Sequence, residues 1–294
     1  NKKSMGIIAR DEEKGLVTVA HPKGVVGSVS PTTNPTITPL GNAMLAIKGR
    51  NTIIVSPHPR AQKTTGKTID YMNEALAEIE APQHIIQMVK DPSIEATQEL
   101  MASADVIVAT GGMGMVKAAY SSGKPAFGVG QGNVQAIIDY DYDNLDLAAQ
   151  FIMIGRTFVN GVICACNQSA IVHEDKKDQL VAAFAEHGVH YLEAEADVSK
   201  IRTALFEENG RPHIDVIGKT ASEIAAKAGI EIPAGTVALL VPTQERGRAD
   251  VLCGEKLCPV LIITTYSEFE DAVEIARENL LYQGAGHTAV VFSN

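Results

Sequence analysis

Apolar runs of strand length alternate with helical segments through the first half of the chain, and this constrains the fold more than any other feature. Thr52-Ile-Ile-Val-Ser56 and Asp105-Val-Ile-Val-Ala109 are nearly continuous apolar runs. That is the pattern of parallel strands covered on both faces, not the in-and-out alternation of a sheet with one wet side. Residues 25–30, 85–89 and 125–129 are further strand candidates. Between them, residues 37–48, 61–80, 93–103 and 115–121 read as helices; in the second of these Ile69, Met72, Leu76 and Ile79 share one face. Strand, loop and helix in regular succession require parallel strands joined by right-handed crossovers, hence an open, doubly wound, Rossmann-type α/β domain. Such sheets bind ligands beyond the carboxyl ends of their strands.

From residue 140 the pattern shifts. The acidic break Asp139-Tyr-Asp-Tyr-Asp143 reads as a solvated loop, and a second α/β unit begins with an amphipathic helix over 145–157. Strands are expected at 169–173, 237–241, 260–264 and 289–293, and helices at 178–187, 198–206, 221–229 and 268–280. With 294 residues the chain exceeds what one core usually holds. We divide it into a β-type segment (1–22), a nucleotide-binding domain (23–133) and a catalytic domain (134–294). Its abrupt ends suggest a piece of a longer protein, with the catalytic domain incomplete. A net charge of -10 and a pI near 5.3 argue against nucleic-acid binding, which needs clustered Lys and Arg. No apolar run reaches the roughly 20 residues that span a bilayer, and no secretory signal opens the chain. The four cysteines, at 164, 166, 253 and 258, lack paired zinc-site spacing, so no metal is expected. Reduced thiols fit a cytoplasmic protein.

Three places carry chemistry. Asn160-Gly-Val-Ile-Cys164-Ala-Cys166 joins a helix to a strand, and a cysteine on a loop held by two rigid elements is where nucleophiles are presented. Taken alone, a free cysteine is more often an inert core residue. Ser56-Pro57-His58-Pro59-Arg60 and Thr110-Gly111-Gly112-Met113-Gly114 both follow strands. The second is not the dinucleotide fingerprint, since Lys117 stands where its last glycine belongs. Glycines between strand and helix nevertheless let a phosphate approach backbone N–H groups.

Taken together, PTTNPT (31–36), KGRNTIIVSPHPRA (48–61), TGGMGMVKAAYSSGKP (110–125), GVICACNQS (161–169), EKLCPV (255–260) and AGHTA (285–289) resemble the aldehyde dehydrogenase superfamily, specifically its coenzyme A-acylating branch. The resemblance covers nearly the whole chain. It implies that Cys164 is the nucleophile, by the pattern Ile-Cys-x-x-x-Gln-Ser, with Cys166 a packing neighbour. It implies that Asn34 and the Cys164 N–H form an oxyanion hole, although on its own Asn34 reads as a turn residue before Pro35. Ser56, Pro57, His58, Arg60, Gly111, Gly112 and Gly114 would hold the pyrophosphate and adenosine ribose of NAD or NADP. Glu255 would bond the nicotinamide ribose; alone it reads as a surface acid. His287 would move a proton near the coenzyme A thiol. Hydrolytic members carry a Glu-Leu-Gly-Gly-Lys motif, whereas Gly128-Val-Gly-Gln-Gly-Asn133 here has no carboxylate to activate water. The expected reaction is therefore aldehyde plus coenzyme A plus NAD(P)+ giving acyl-CoA and NAD(P)H, of the acetaldehyde or succinate-semialdehyde type, in a homo-oligomer. The competing readings are a hydrolytic dehydrogenase releasing free acid and a non-catalytic nucleotide-binding or assembly module.

Overall fold

The computed structural model describes residues 2–294. It divides into two compact units, with the break between Gly130 and Gln131, three residues before the boundary drawn from the sequence.

The first unit opens with an antiparallel hairpin, β1 (Gly6–Asp11) and β2 (Leu16–Ala20), which forms a sheet of its own. Residues 21–24 therefore lead from one sheet into another. After it come β3 (Val25–Ser30), α1 (Ile37–Lys48), β4 (Thr52–Pro57), α2 (Gln62–Glu78), β5 (Ile86–Met88), α3 (Ile94–Ser103), β6 (Val106–Thr110), α4 (Met113–Tyr120) and β7 (Ala126–Val129). Their sheet has the order β5-β4-β3-β6-β7 and is parallel throughout. Alternate strand residues serve opposite faces. Val26, Ile53 and Val55 pack with Ala43, Ala46 and Ile69 of α1 and α2. Val29, Ile107 and Ala109 pack with Met101 and Ala119 of α3 and α4. The strand order reverses at β3, between β4 and β6, the kind of position at which such sheets bind ligands beyond the carboxyl edge.

The second unit runs β8 (Val134–Ile138), α5 (Leu145–Thr157), β9 (Asn167–His173), α6 (Lys177–Glu186), β10 (Val189–Tyr191), α7 (Glu195–Leu205), α8 (Ala221–Ala228), β11 (Ala238–Pro242), β12 (Val260–Tyr266), α9 (Phe269–Tyr282) and β13 (Ala289–Phe292). All six strands are parallel, in the order β10-β11-β12-β9-β8-β13. Leu240, Ala136 and Ile138 face α5 and α6, with Ile152, Leu180 and Phe184. Their strand neighbours Leu239, Val241 and Ile262 pack with Val198, Ile201 and Ile224 of α7 and α8. Ile137 and Ile171 pack with Ala272 and Ile275 of α9. Among the described residues, no helix is long and apolar enough to cross a membrane.

Candidate active site

In the second unit the site is set by the starts of strands rather than their ends. Gly132 and Asn133 lead into β8, Cys164 into β9, Glu255 and Lys256 into β12, and His287 into β13. These four strands are adjacent, in the order β12-β9-β8-β13, and parallel. Their amino ends therefore lie along one sheet edge, which brings together segments far apart in sequence.

The cysteine loop leaves α5 through a run of left-handed residues, Val159 (φ 50°), Asn160 (φ 50°) and Gly161 (φ 73°). This conformation is costly for a β-branched valine. Asn160 Nδ2 donates to the Gly218 carbonyl at 3.0 Å. Arg156, the last polar residue of α5 before Thr157, is wholly buried and donates from its two terminal nitrogens to the carbonyls of Gly161 and Asn167, each at 2.7 Å. Cys164 is half-buried, whereas Cys166, Cys253 and Cys258 are buried. Burial raises the Cys164 thiol above its ordinary value, and the Glu255 carboxylate adds to the effect; the N–H groups of Cys164 and Ala165 only partly oppose it.

Gly132 is the contact between cysteine and glutamate. A Cβ on it would fall on the Cys164 carbonyl oxygen, and its N–H donates to Glu255 Oε1 at 3.1 Å. Glu255 is only 4% exposed. This corrects the surface acid expected from the sequence alone: β12 is an inner strand, and its leading loop is covered by the segments before β8 and β9. Burial pushes the carboxyl up to about 7, against the Gly132 N–H and the charges of Arg156 and Lys256. Lys256 is buried too; its Nζ donates to the Leu252 and Gly254 carbonyls at 2.7 and 2.8 Å. Desolvation, with Arg156 nearby, lowers its pKa to about 7.

A buried amide network joins the segments. Asn133 Nδ2 donates to the carbonyls of Cys253 and Asn279, Gln135 Nε2 donates to Asn133, and both Ser169 Oγ and Asn279 Nδ2 donate to Gln135 Oε1. Gly284 presses on Asn133: a Cβ there would lie 2.6 Å from the Asn133 Cβ. His287, three residues on, is half-buried, with a buried Nε2 that has no partner among the described residues. Burial alone lowers its pKa, so the ring is neutral near pH 7.

The other expected residues lie in the first unit, at the carboxyl edge of its sheet. Asn34 follows β3, and its Oδ1 accepts the Ile37 N–H at 3.2 Å. That is the turn contact read from the sequence, and it leaves the amide NH2 as the free donor. Ser56 and Pro57, at the end of β4, are buried, Ser56 Oγ lying 2.8 Å from Thr97 Oγ1. His58 and Arg60 are exposed, and His58 Nδ1 accepts the Arg60 N–H. Gly112 is the N-cap of α4, which starts two residues earlier than expected, so Gly114 sits in its first turn and not in the loop. Nothing lies within 4 Å of where a Cβ would stand on Gly112 or Gly114. The helix start, with N–H groups that have no intrahelical partner, is open to a phosphate.

The sequence model of the aldehyde dehydrogenase family matches residues 2–294. The chain belongs to this family. An acetylating succinate-semialdehyde dehydrogenase of Clostridium kluyveri is 51% identical over the whole chain, which spans 64% of that relative's length. Among solved structures, an acetylating aldehyde dehydrogenase from Geobacillus thermoglucosidasius superposes with a TM-score of 0.93 at 40% identity, covering 100% of this chain and 65% of that one. A propionaldehyde dehydrogenase from Rhodopseudomonas palustris, solved with bound CoA and an acylated cysteine, has a TM-score of 0.86 at 29% identity, with 95% and 63% covered. Family membership accounts for the parallel α/β architecture of both units. Sequence reasoning passed over Arg156, Gly132, Asn133 and Lys256. A charged residue in the apolar helix at 145–157 was one available signal. The GQGN run, read only for its missing carboxylate, was another.

Proposed function

We propose that the protein interconverts an aldehyde and its acyl-CoA with NAD or NADP, through a thioester on Cys164. The observation that carries this is the arrangement around the sulfur. The one half-buried thiol of the four stands on a tethered loop. The carboxylate beside that loop is buried and hydrogen-bonded to Gly132. The Cys164 thiol loses its proton to solvent as its sulfur adds to the aldehyde carbon, and Asn34 and the Cys164 N–H are assigned to the resulting oxyanion. Bound NAD(P)+ would supply the hydride acceptor that oxidises this adduct to the thioester. The open start of α4 and the Ser56–Arg60 turn are assigned to its phosphates and ribose, and Glu255 to its nicotinamide ribose. His287, neutral and with a free Nε2, is assigned to take the proton from the coenzyme A thiol. That thiolate attacks the acyl carbon, and Cys164 leaves as thiolate. No carboxylate stands in residues 128–133 to deprotonate water, so the thioester persists until a thiol arrives.

The similarity to the C. kluyveri enzyme favours succinate semialdehyde as substrate. Free thiols suit a reducing, cytoplasmic setting. The test is aldehyde oxidation with and without coenzyme A. Formation of NAD(P)H that depends on coenzyme A, with succinyl-CoA as product, is expected. Equal NAD(P)H yield without coenzyme A, with free acid released, would establish the hydrolytic reading instead.

A further inference from the structure

Arg156 is 0% exposed. A buried cation is expensive unless its surroundings repay desolvation, and an apolar residue of similar size would fill the space at less cost. Its terminal nitrogens meet two carbonyls, Gly161 three residues before Cys164 and Asn167 three residues after it. Its Nε has no partner among the described residues. The loop it grips contains the left-handed run 159–161, a conformation that persists only where neighbours over-determine it. A Cβ on Gly161 would fall on Arg156 Nη2, so this glycine serves both its positive φ and the close approach of the guanidinium. The flat fork of a guanidinium fixes two acceptors at a set separation, which a single ammonium cannot do in the same way.

We propose that Arg156 is the positioning residue of the nucleophile, its guanidinium clamping both ends of the Cys164 loop so that the sulfur is presented in one place. This rests on the reading of Cys164 as the acyl carrier. When the clamp is released the left-handed run relaxes, and Cys164 becomes more exposed but less well aimed. Reactivity toward a small alkylating agent and turnover then move in opposite directions, which a purely structural loss does not produce.

The experiment compares Arg156→Lys and Arg156→Met with the parent. It reads iodoacetamide modification of Cys164 by peptide mass spectrometry across pH, steady-state kcat and KM, and the thermal midpoint. The alkylation midpoint is expected to fall toward that of an ordinary thiol in both variants. Turnover should drop about tenfold in Arg156→Lys and about a hundredfold in Arg156→Met, with KM within about twofold of the parent. Alkylation and kcat that both match the parent overturn the proposal. So does a loss of both in step with the folded fraction. Should Arg156→Met not fold, Arg156→Lys, which keeps the charge, decides alone. If acyl-CoA leaves no adduct on the parent's Cys164, the thioester reading fails, while the alkylation comparison still judges the clamp.

Discussion

At Cys164 the structure departs from the usual picture of an activated cysteine. No cation lowers its pKa; burial and the Glu255 carboxylate raise it, so the resting residue is a neutral thiol near pH 7. Two predictions follow the same contacts. Glu255→Gln keeps an acceptor for the Gly132 N–H but removes the anion, so the alkylation midpoint of Cys164 should move to lower pH; an unmoved midpoint would mean that the carboxylate does not act on the sulfur. The same substitution changes stability. The folded-state pKa of Glu255, about 7, lies above the ordinary 4.5. The folded protein thus holds a proton that the unfolded chain releases, and this contribution is lost as pH rises from about 4.5 through about 7. Glu255→Gln should gain stability relative to the parent between about pH 5 and about pH 8 in urea unfolding. A constant difference would contradict the shift. Gly132→Ala places a methyl on the Cys164 carbonyl. Turnover should fall at least about tenfold, because a small displacement of a nucleophile is costly.

Among the elements, legibility in the sequence tracked how each strand is buried. β4 and β6 are nearly uninterrupted apolar runs and were readable, as were the amphipathic α1 and α5, whose bounds match the expected ones. β8 was not, because it carries a buried Gln135, whose amide is paired with the nearby Asn133 and with Ser169 and Asn279, the last two distant in sequence. β10 has three residues, too few to show a period. The start of α4 shifted because Met113 and Gly114, read as turn, are compatible with a first helical turn once Gly112 caps it. The site itself was half legible. The place of Cys164 between helix and strand marked a loop cysteine, but its assignment as nucleophile came from the family resemblance, and the neighbours that bury Glu255 come together only through strand order. The amide network predicts a further result. Asn133→Ala leaves the Cys253 carbonyl without a donor, whereas the Asn279 carbonyl keeps the Gln283 N–H, at a cost of about 1–3 kcal/mol for the unsatisfied group. Chemical denaturation should detect that loss, and an unchanged midpoint would remove Asn133 from the framework of the site.

On the scale of the molecule, the hairpin β1–β2 exposes Ile8, Leu16, Val17 and Val19. We read it as a contact between copies of the chain in a homo-oligomer. Replacing Leu16 and Val17 with Lys should lower the mass measured by light scattering, and a parent that is already monomeric excludes that role. The two units carry their candidate residues at opposite kinds of edge, the carboxyl ends of strands in the first and the amino ends in the second. The proposed activity rests on one atom of the second unit, the Cys164 sulfur. Incubating the protein with an acyl-CoA in the absence of nicotinamide, followed by peptide mass spectrometry, tests this most directly. An acyl mass on Cys164, removed by free coenzyme A, is the predicted result. An unmodified Cys164 in folded protein, or an acyl mass on Cys166 instead, would contradict the account.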